Sequence, residues 1–231
     1  MDKLRTVSDT KRDFYTYHNR PINSVYRRAI EELMVEMHLL SVNKDFKPDP
    51  FYYLGVVTAF DRFMQGYQPE VDKQSIFDAL CKCIQSSSEQ YTQSADTLLT
   101  ATKDMNLDEA VDWLINPTIK PGTENLFTEI QAISQNPHFK YSRLFAIGIY
   151  TLLENIDAEM LKDQSQRDPL IDKIAEGMKL PADKMKKDLE LYVSNLQKME
   201  QLLIVIQDAI EADRKQREKR AQNLAEKAKK E

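Results

Sequence analysis

Glycine is scarce in this 231-residue chain, at five residues, and proline numbers nine. Leu, Lys, Glu, Gln, Ala and Met are plentiful instead, the composition of a helical protein rather than a sheet protein. No strand-like alternation and no internal repeat of convincing period runs along it. Long hydrophobic runs are missing too. The best, LFAIGIYTLL at 144–153, falls far below the ~20 residues that cross a bilayer. The first residues, MDKLRTVSDTKRDF, lack the apolar region of a secretory signal and the long Ser/Arg-rich character of an import leader. The expectation is a soluble chain, made in or already delivered to its working compartment.

Histidine and cysteine are as sparse, and each shortage excludes a chemistry. Metal-binding carboxylate bundles use Glu-x-x-His on facing helices. The residues three before His18, His38 and His138 are Tyr15, Val35 and Gln135, so that motif is missing. Glu31, Glu32 and Glu36 then read as solvated or salt-bridged charges. Cys81 and Cys83 stand two apart in a helical pattern, where they point to different sides. That spacing opposes a disulfide and, without a neighbouring His, a zinc site. They read as small buried thiols of a reducing compartment. No nucleophile elbow and no glycine-rich phosphate loop is present, and His38 reads as a flank histidine with an ordinary hydrogen bond. No catalytic, cofactor or metal residue is expected.

What is present is helix after helix. At 42% hydrophobic and 30% charged residues, the chain can bury a core and solvate its surface. Ser8 or Asp9 caps a short helix that ends near His18, before Arg20-Pro21. Ile22, Tyr26, Ile30, Leu33, Met37 and Leu40 stripe a long one. Asp49-Pro50 starts another, with Gly66 as its stop. Asp72 starts the next, and a further helix spans about 89–102. Asn106 with Glu109 forms a capping box for a short helix ending near Ile115. NPTIKPG, 116–122, is the clearest loop. Helices then occupy about 123–134, 140–155 and 168–178. The fold class is all-α, with a compact multi-helix body over 1–180 and a long C-terminal helix over 181–231.

Within the stretch 51–70, Tyr53, Val57, Phe60 and Met64 recur at helical spacing, with Leu54 beside them. Asp61 turns toward that same side. A buried carboxylate needs a partner. Arg27 and Arg28 on the preceding long helix, and the adjacent Arg62, are the candidates for an ion pair that fixes helix register.

The last segment differs in kind. After Pro181 there is no Gly or Pro. Met185, Leu189, Tyr192, Leu196, Met199, Leu203, Ile206 and Ile210 keep a heptad rhythm over 185–210. Asp213, Arg217 and Arg220 then break the seam. Such a helix is about 70 Å long at a rise of ~1.5 Å per residue, against a body about 40 Å across, so its charged end is expected to project. The chain carries a net charge of −5, which argues against general nucleic-acid binding. Residues 213–231 hold eight Lys/Arg and four Asp/Glu, a net of +4, leaving −9 on the rest. Three uses fit that basic end: a solvated helix terminus, a polybasic contact with anionic lipid, or a docking arm for a protein. Leu224 is its only large apolar residue, too little for membrane insertion. Arg214, Lys215, Arg217, Lys219 and Arg220 are the partner-binding candidates.

VSDTKRDFYTYHNRPINSVYRRAIEELMVEMHLLSVN at 7–43 and DPFYYLGVVTAFDRFMQGYQPE at 49–70 resemble the thylakoid formation protein family of cyanobacteria and chloroplasts. IFDALCKCI (76–84) and FKYSRLFAIGIYTLLE (139–154) look like its later blocks, so the resemblance reaches to about residue 210. It implies an all-α, non-enzymatic auxiliary factor of photosystem II biogenesis and repair, without cofactor. It further implies peripheral association with thylakoid membranes and support of the FtsH-type AAA protease complex. The location implied is the cyanobacterial cytoplasm and thylakoid surface, or the chloroplast stroma and thylakoid for a processed plastid form. The expected state is a monomer. The alternative is a coiled-coil scaffold, a homodimer paired through residues 185–210.

Overall fold

The computed structural model describes residues 5–119 and 124–228, except the side chains of Ile210 and of 220–228. Among them all regular structure is helical. The first six helices are α1 (Val7–Tyr17), α2 (Ser24–Ser41), α3 (Pro50–Phe63), α4 (Val71–Cys83), α5 (Ser88–Thr102) and α6 (Leu107–Ile115). After them come α7 (Glu124–Gln135), α8 (Arg143–Ile156), α9 (Ala158–Lys162), α10 (Gln164–Met178) and α11 (Ala182–Ala228). Two compact units result, one ending at Tyr192 and the other beginning at Val193.

The first unit is organised on α3 and α8. Ser142 caps α8, accepting from the Phe145 N–H, and every residue from Leu144 to Leu153 is buried. A helix apolar on all sides has to be enclosed, so LFAIGIYTLL is a core helix. Asp49 caps α3, with Pro50 in its first turn, where a missing N–H costs nothing. The two helices meet backbone against backbone, at one glycine from each. A Cβ added at Gly55 would lie 2.7 Å from the Leu144 carbonyl carbon and nearer still to its oxygen. One added at Gly148 would lie 2.7 Å from the Phe51 carbonyl carbon. Only hydrogen fits at either place. Phe51 and Phe145 close the crossing edge to face, with ring centroids 5.4 Å apart.

The other helices wrap this pair. α5 packs on α3, where the Tyr52 and Tyr91 hydroxyls meet at 3.1 Å and satisfy each other's polar tips inside the core. α1 lies on α4, and the Arg5 guanidinium donates to the Cys83 carbonyl at 2.9 Å. α6 and α9 pack on α10. From α11, Met185, Leu189 and Tyr192 are buried, so the compact unit extends past the expected boundary at residue 180.

Helix starts depart from expectation at α1, α4 and α10. Thr6 rather than Ser8 or Asp9 caps α1, and Asp9 returns the bond in a capping box. Asp163 caps α10, which begins at Gln164, four residues before the expected Asp168, leaving Pro169 inside the helix. α4 begins at Val71, and Asp72 lies within its first turn. The Asn106–Glu109 box on α6 forms as expected. Of the expected 116–122 loop, 116–119 are non-helical; 120–122 lie outside the described residues.

Asp49 combines capping with burial. Its Oδ1 accepts the Tyr52 N–H at 2.9 Å. Burial pushes the carboxyl up to about 7 and Glu129 adds to this, against the backbone N–H groups of Tyr52 and Phe51. A carboxyl raised in the folded state favours folding fully below its unfolded pKa, and loses that contribution as pH rises through the folded value. The window therefore runs from about 4 to 7.

Two outcomes follow. Gly55→Ala or Gly148→Ala meets rigid backbone and lowers stability by about 3 kcal/mol or more, read as a fall in urea midpoint at unchanged slope; an unmoved midpoint contradicts the crossing. Asp49→Asn keeps the cap and removes the titration. Its melting temperature should gain on the wild type between pH 5 and 7 and hold that gain above pH 8, whereas parallel profiles would contradict the buried acid.

Candidate partner-binding surfaces

Two of the three imidazoles and both thiols are packed away, while His138 is exposed. The Ser75 hydroxyl lies 3.0 Å from His18 Nδ1, and Asp72 acts on the same ring. This resembles a nucleophile relay only in composition. Arg20 holds the Asp72 carboxylate, His18 is 1% exposed, and its Nε2 has no partner among the described residues. A relay needs the imidazole between hydroxyl and carboxylate, with the hydroxyl open to substrate. Burial instead lowers the His18 pKa, keeping the ring neutral and structural.

His38 is buried rather than on a flank, with its Nδ1 2.8 Å from the Thr10 hydroxyl of α1. Cys81 and Cys83 are free and buried. Burial pushes both thiols up to about 12, far from the reactive thiolate. Among the described residues no group of three His, Cys, Asp or Glu could hold a metal ion.

The expected buried lock at Asp61 does not form. Asp61 is solvent-exposed, beyond the edge of the apolar stripe, and it makes no ion pair or hydrogen bond to a described residue. The surrounding protein still displaces enough water to raise its pKa, an effect Lys73 opposes. Arg62 turns instead to α8, where Nη2 donates to Glu154 Oε2. Arg28 pairs along its own helix with Glu32 at 2.9 Å, fully in solvent. Arg27 lines a surface groove. The partly buried Arg62–Glu154 pair is the register lock, and the partner comes from a helix ninety residues downstream that spacing along α3 could not reveal.

That groove, of about 890 Å³, lies between the outer face of α2 and the start of α8. Val35, Leu39 and Tyr141 supply apolar wall, with Leu39 56% exposed. Its charges cancel locally, through Arg28 with Glu32 and Arg143 with Glu36 at 2.5 Å.

The second unit is different. Leu196, Met199, Leu203 and Ile206 are half-buried, while Leu202, Ile204 and Val205 are 42%, 56% and 62% exposed. Further on, Arg214 pairs with Glu218 at 3.6 Å and Arg217 with Asp213 at 2.8 Å. Lys215 and Lys219 are exposed and form no ion pair with a described side chain. The side chain of Arg220 lies outside the described residues.

Asp61→Asn should therefore leave the melting temperature unchanged. Arg62→Ala should cost about 1–3 kcal/mol, because it strands Glu154 in a partly buried place. Thermal denaturation of both variants checks this, and the reverse ranking would restore the Asp61 lock.

Residues 6–221 match the family described as Thylakoid formation protein. Protein Thf1 of Rippkaea orientalis is 55% identical over 226 residues, covering 97% of this chain and 96% of that one. Protein Thf1 of Trichormus variabilis is 54% identical over 225 residues, covering 97% of each. The solved structure of Psb29 superposes with a TM-score of 0.78 at 41% identity, covering 92% of this chain and 98% of that one. With its all-α architecture shared and its sequence matched almost end to end, the chain belongs to the thylakoid formation protein family.

Proposed function

We propose that the chain is a non-enzymatic auxiliary factor of thylakoid formation and of photosystem II biogenesis and repair. It binds the FtsH-type AAA protease complex at the thylakoid surface and stabilises the assembled form. The observation that carries this is the family match over 6–221. Two structural features agree with it. No helix among the described residues is long and apolar enough to cross a membrane, which suits peripheral association. The imidazoles of His18 and His38 and both thiols are engaged in packing.

The mechanism is linkage. A ligand that binds only the assembled complex shifts assembly by about 2.7 kcal/mol when present at a hundred times its dissociation constant. No catalytic group is needed for that. The protein itself works as a monomer, with the basic segment after Ile210 as the contact and Arg214, Lys215, Arg217 and Lys219 as its charges.

A scaffold that pairs through 185–210 is less well supported. Met185, Leu189 and Tyr192 are 0%, 0% and 2% exposed, so the first half of that seam is committed to the body. Sedimentation should give a concentration-independent monomer; a reversible dimer would favour the scaffold.

A pull-down from solubilised thylakoids tests the main reading, comparing the intact chain with one ending after Ala212. The intact bait should recover the protease, and the truncated bait, stripped of the basic segment, should recover less of it. No recovery by the intact bait contradicts the partnership, and undiminished recovery by both moves the contact off the basic segment, to residues before 213.

A further inference from the structure

The helix α11 carries a second apolar seam, one that the 185–210 heptads do not include. At 3.6 residues per turn, Leu202, Val205, Ala209 and Ala212 follow three-four-three spacing on their own line. That line lies about 120° around the helix from Leu196, Met199, Leu203 and Ile206. All four of its residues are exposed, and Val205 is the most open of them among large side chains, at 62%. A helix with one buried stripe needs one supporting face, whereas apolar residues on two faces call for enclosure on both.

The seam tapers from Leu and Val to two alanines. Small residues let a facing helix approach closely and receive its bulkier side chains. Just beyond the alanines, the charges divide by face. Arg214 and Arg217 are neutralised within the helix by Glu218 and Asp213. Lys215 and Lys219 stand one turn apart, exposed and without a described carboxylate partner; Lys219, seven residues after Ala212, continues the second seam and Lys215 flanks it.

We infer that the Leu202–Ala212 seam is the docking face for a single α-helix of the partner protein. That helix presents bulky apolar side chains toward Ala209 and Ala212, and Asp or Glu toward Lys215 and Lys219. The inference rests on the protease partnership proposed above and specifies its surface. It places the anchor on apolar residues before the basic segment, with the lysines setting direction and register. Buried apolar contacts hold such a complex together, and rim charges govern the on-rate and salt dependence.

The test uses the full-length chain and the purified, detergent-solubilised FtsH-type complex of thylakoid membranes, with affinity read by biolayer interferometry. Val205→Glu with Ala209→Glu should weaken binding about 30-fold or more, the size of a lost anchor. Lys215→Glu with Lys219→Glu should weaken it about tenfold at low salt, and the difference should shrink at high salt. Ile204→Glu, an exposed apolar position off the seam, should bind as wild type. Unchanged circular dichroism in all three variants shows that the helix is kept. Full binding by the Val205/Ala209 variant overturns the seam while leaving the partnership intact. Equal loss with Ile204→Glu overturns its assignment to one face. Failure of the wild-type chain to bind overturns the partnership itself, and the seam with it.

Discussion

The body depends on two hydrogens. At Gly55 and Gly148 the backbones of α3 and α8 come into direct contact, and any side chain at either position would collide with a carbonyl group of the other helix. This closeness lets α8 stay buried from Leu144 to Leu153 and brings Phe51 against Phe145. Arg62 then reaches Glu154 farther along the same pair. In a chain with five glycines, two serve one helix crossing. Protein interiors are close-packed, so the surrounding layers inherit their positions from this crossing: the Tyr52–Tyr91 contact to α5, and Phe63 and Tyr150 around Tyr192 of α11.

Much of this was legible in the sequence. Scarce glycine and helical periodicity led to an all-α fold. Cap chemistry placed the starts at Asp49 and Asn106, because a side-chain oxygen beside three unsatisfied N–H groups is a local fact. What failed was non-local. Asp61 follows the apolar stripe in spacing, but the stripe's edge is set by what packs on α3, and α8 covers Arg62 rather than Asp61. Gly66 reads as a stop, and Gly55 and Gly148 give no hint of a crossing, since a close approach is a property of two helices and neither sequence states it alone. The burial of Asp49 was hidden for the same reason: capping predicts its hydrogen bond, while its pKa is raised by the burial that packing imposes, with Glu129 of α7 adding to it.

The two units answer different demands. The body pairs most of its polar groups internally, through caps, through Thr10 on His38 and through paired arginines, with the buried His18 Nε2 an exception among the described residues. Its groove along α2 carries balanced charge. Beyond Tyr192, α11 keeps apolar residues on two faces and then carries the exposed Lys215 and Lys219, which have no carboxylate partner among the described residues, a combination that a helix serving only to solvate itself would not need. The sequence pointed to this helix through its heptads and basic end, yet it put the emphasis on the charges. The exposures of Leu202 and Val205 move the emphasis about two to three turns earlier.

Hydrogen–deuterium exchange of the chain, alone and bound to the purified protease complex, addresses the central claim most directly. The account predicts that binding slows exchange across residues 199–219 and leaves α2 and the α3–α8 core unchanged. A complex that forms with protection confined to α2 and the start of α8, and none on α11, would contradict it.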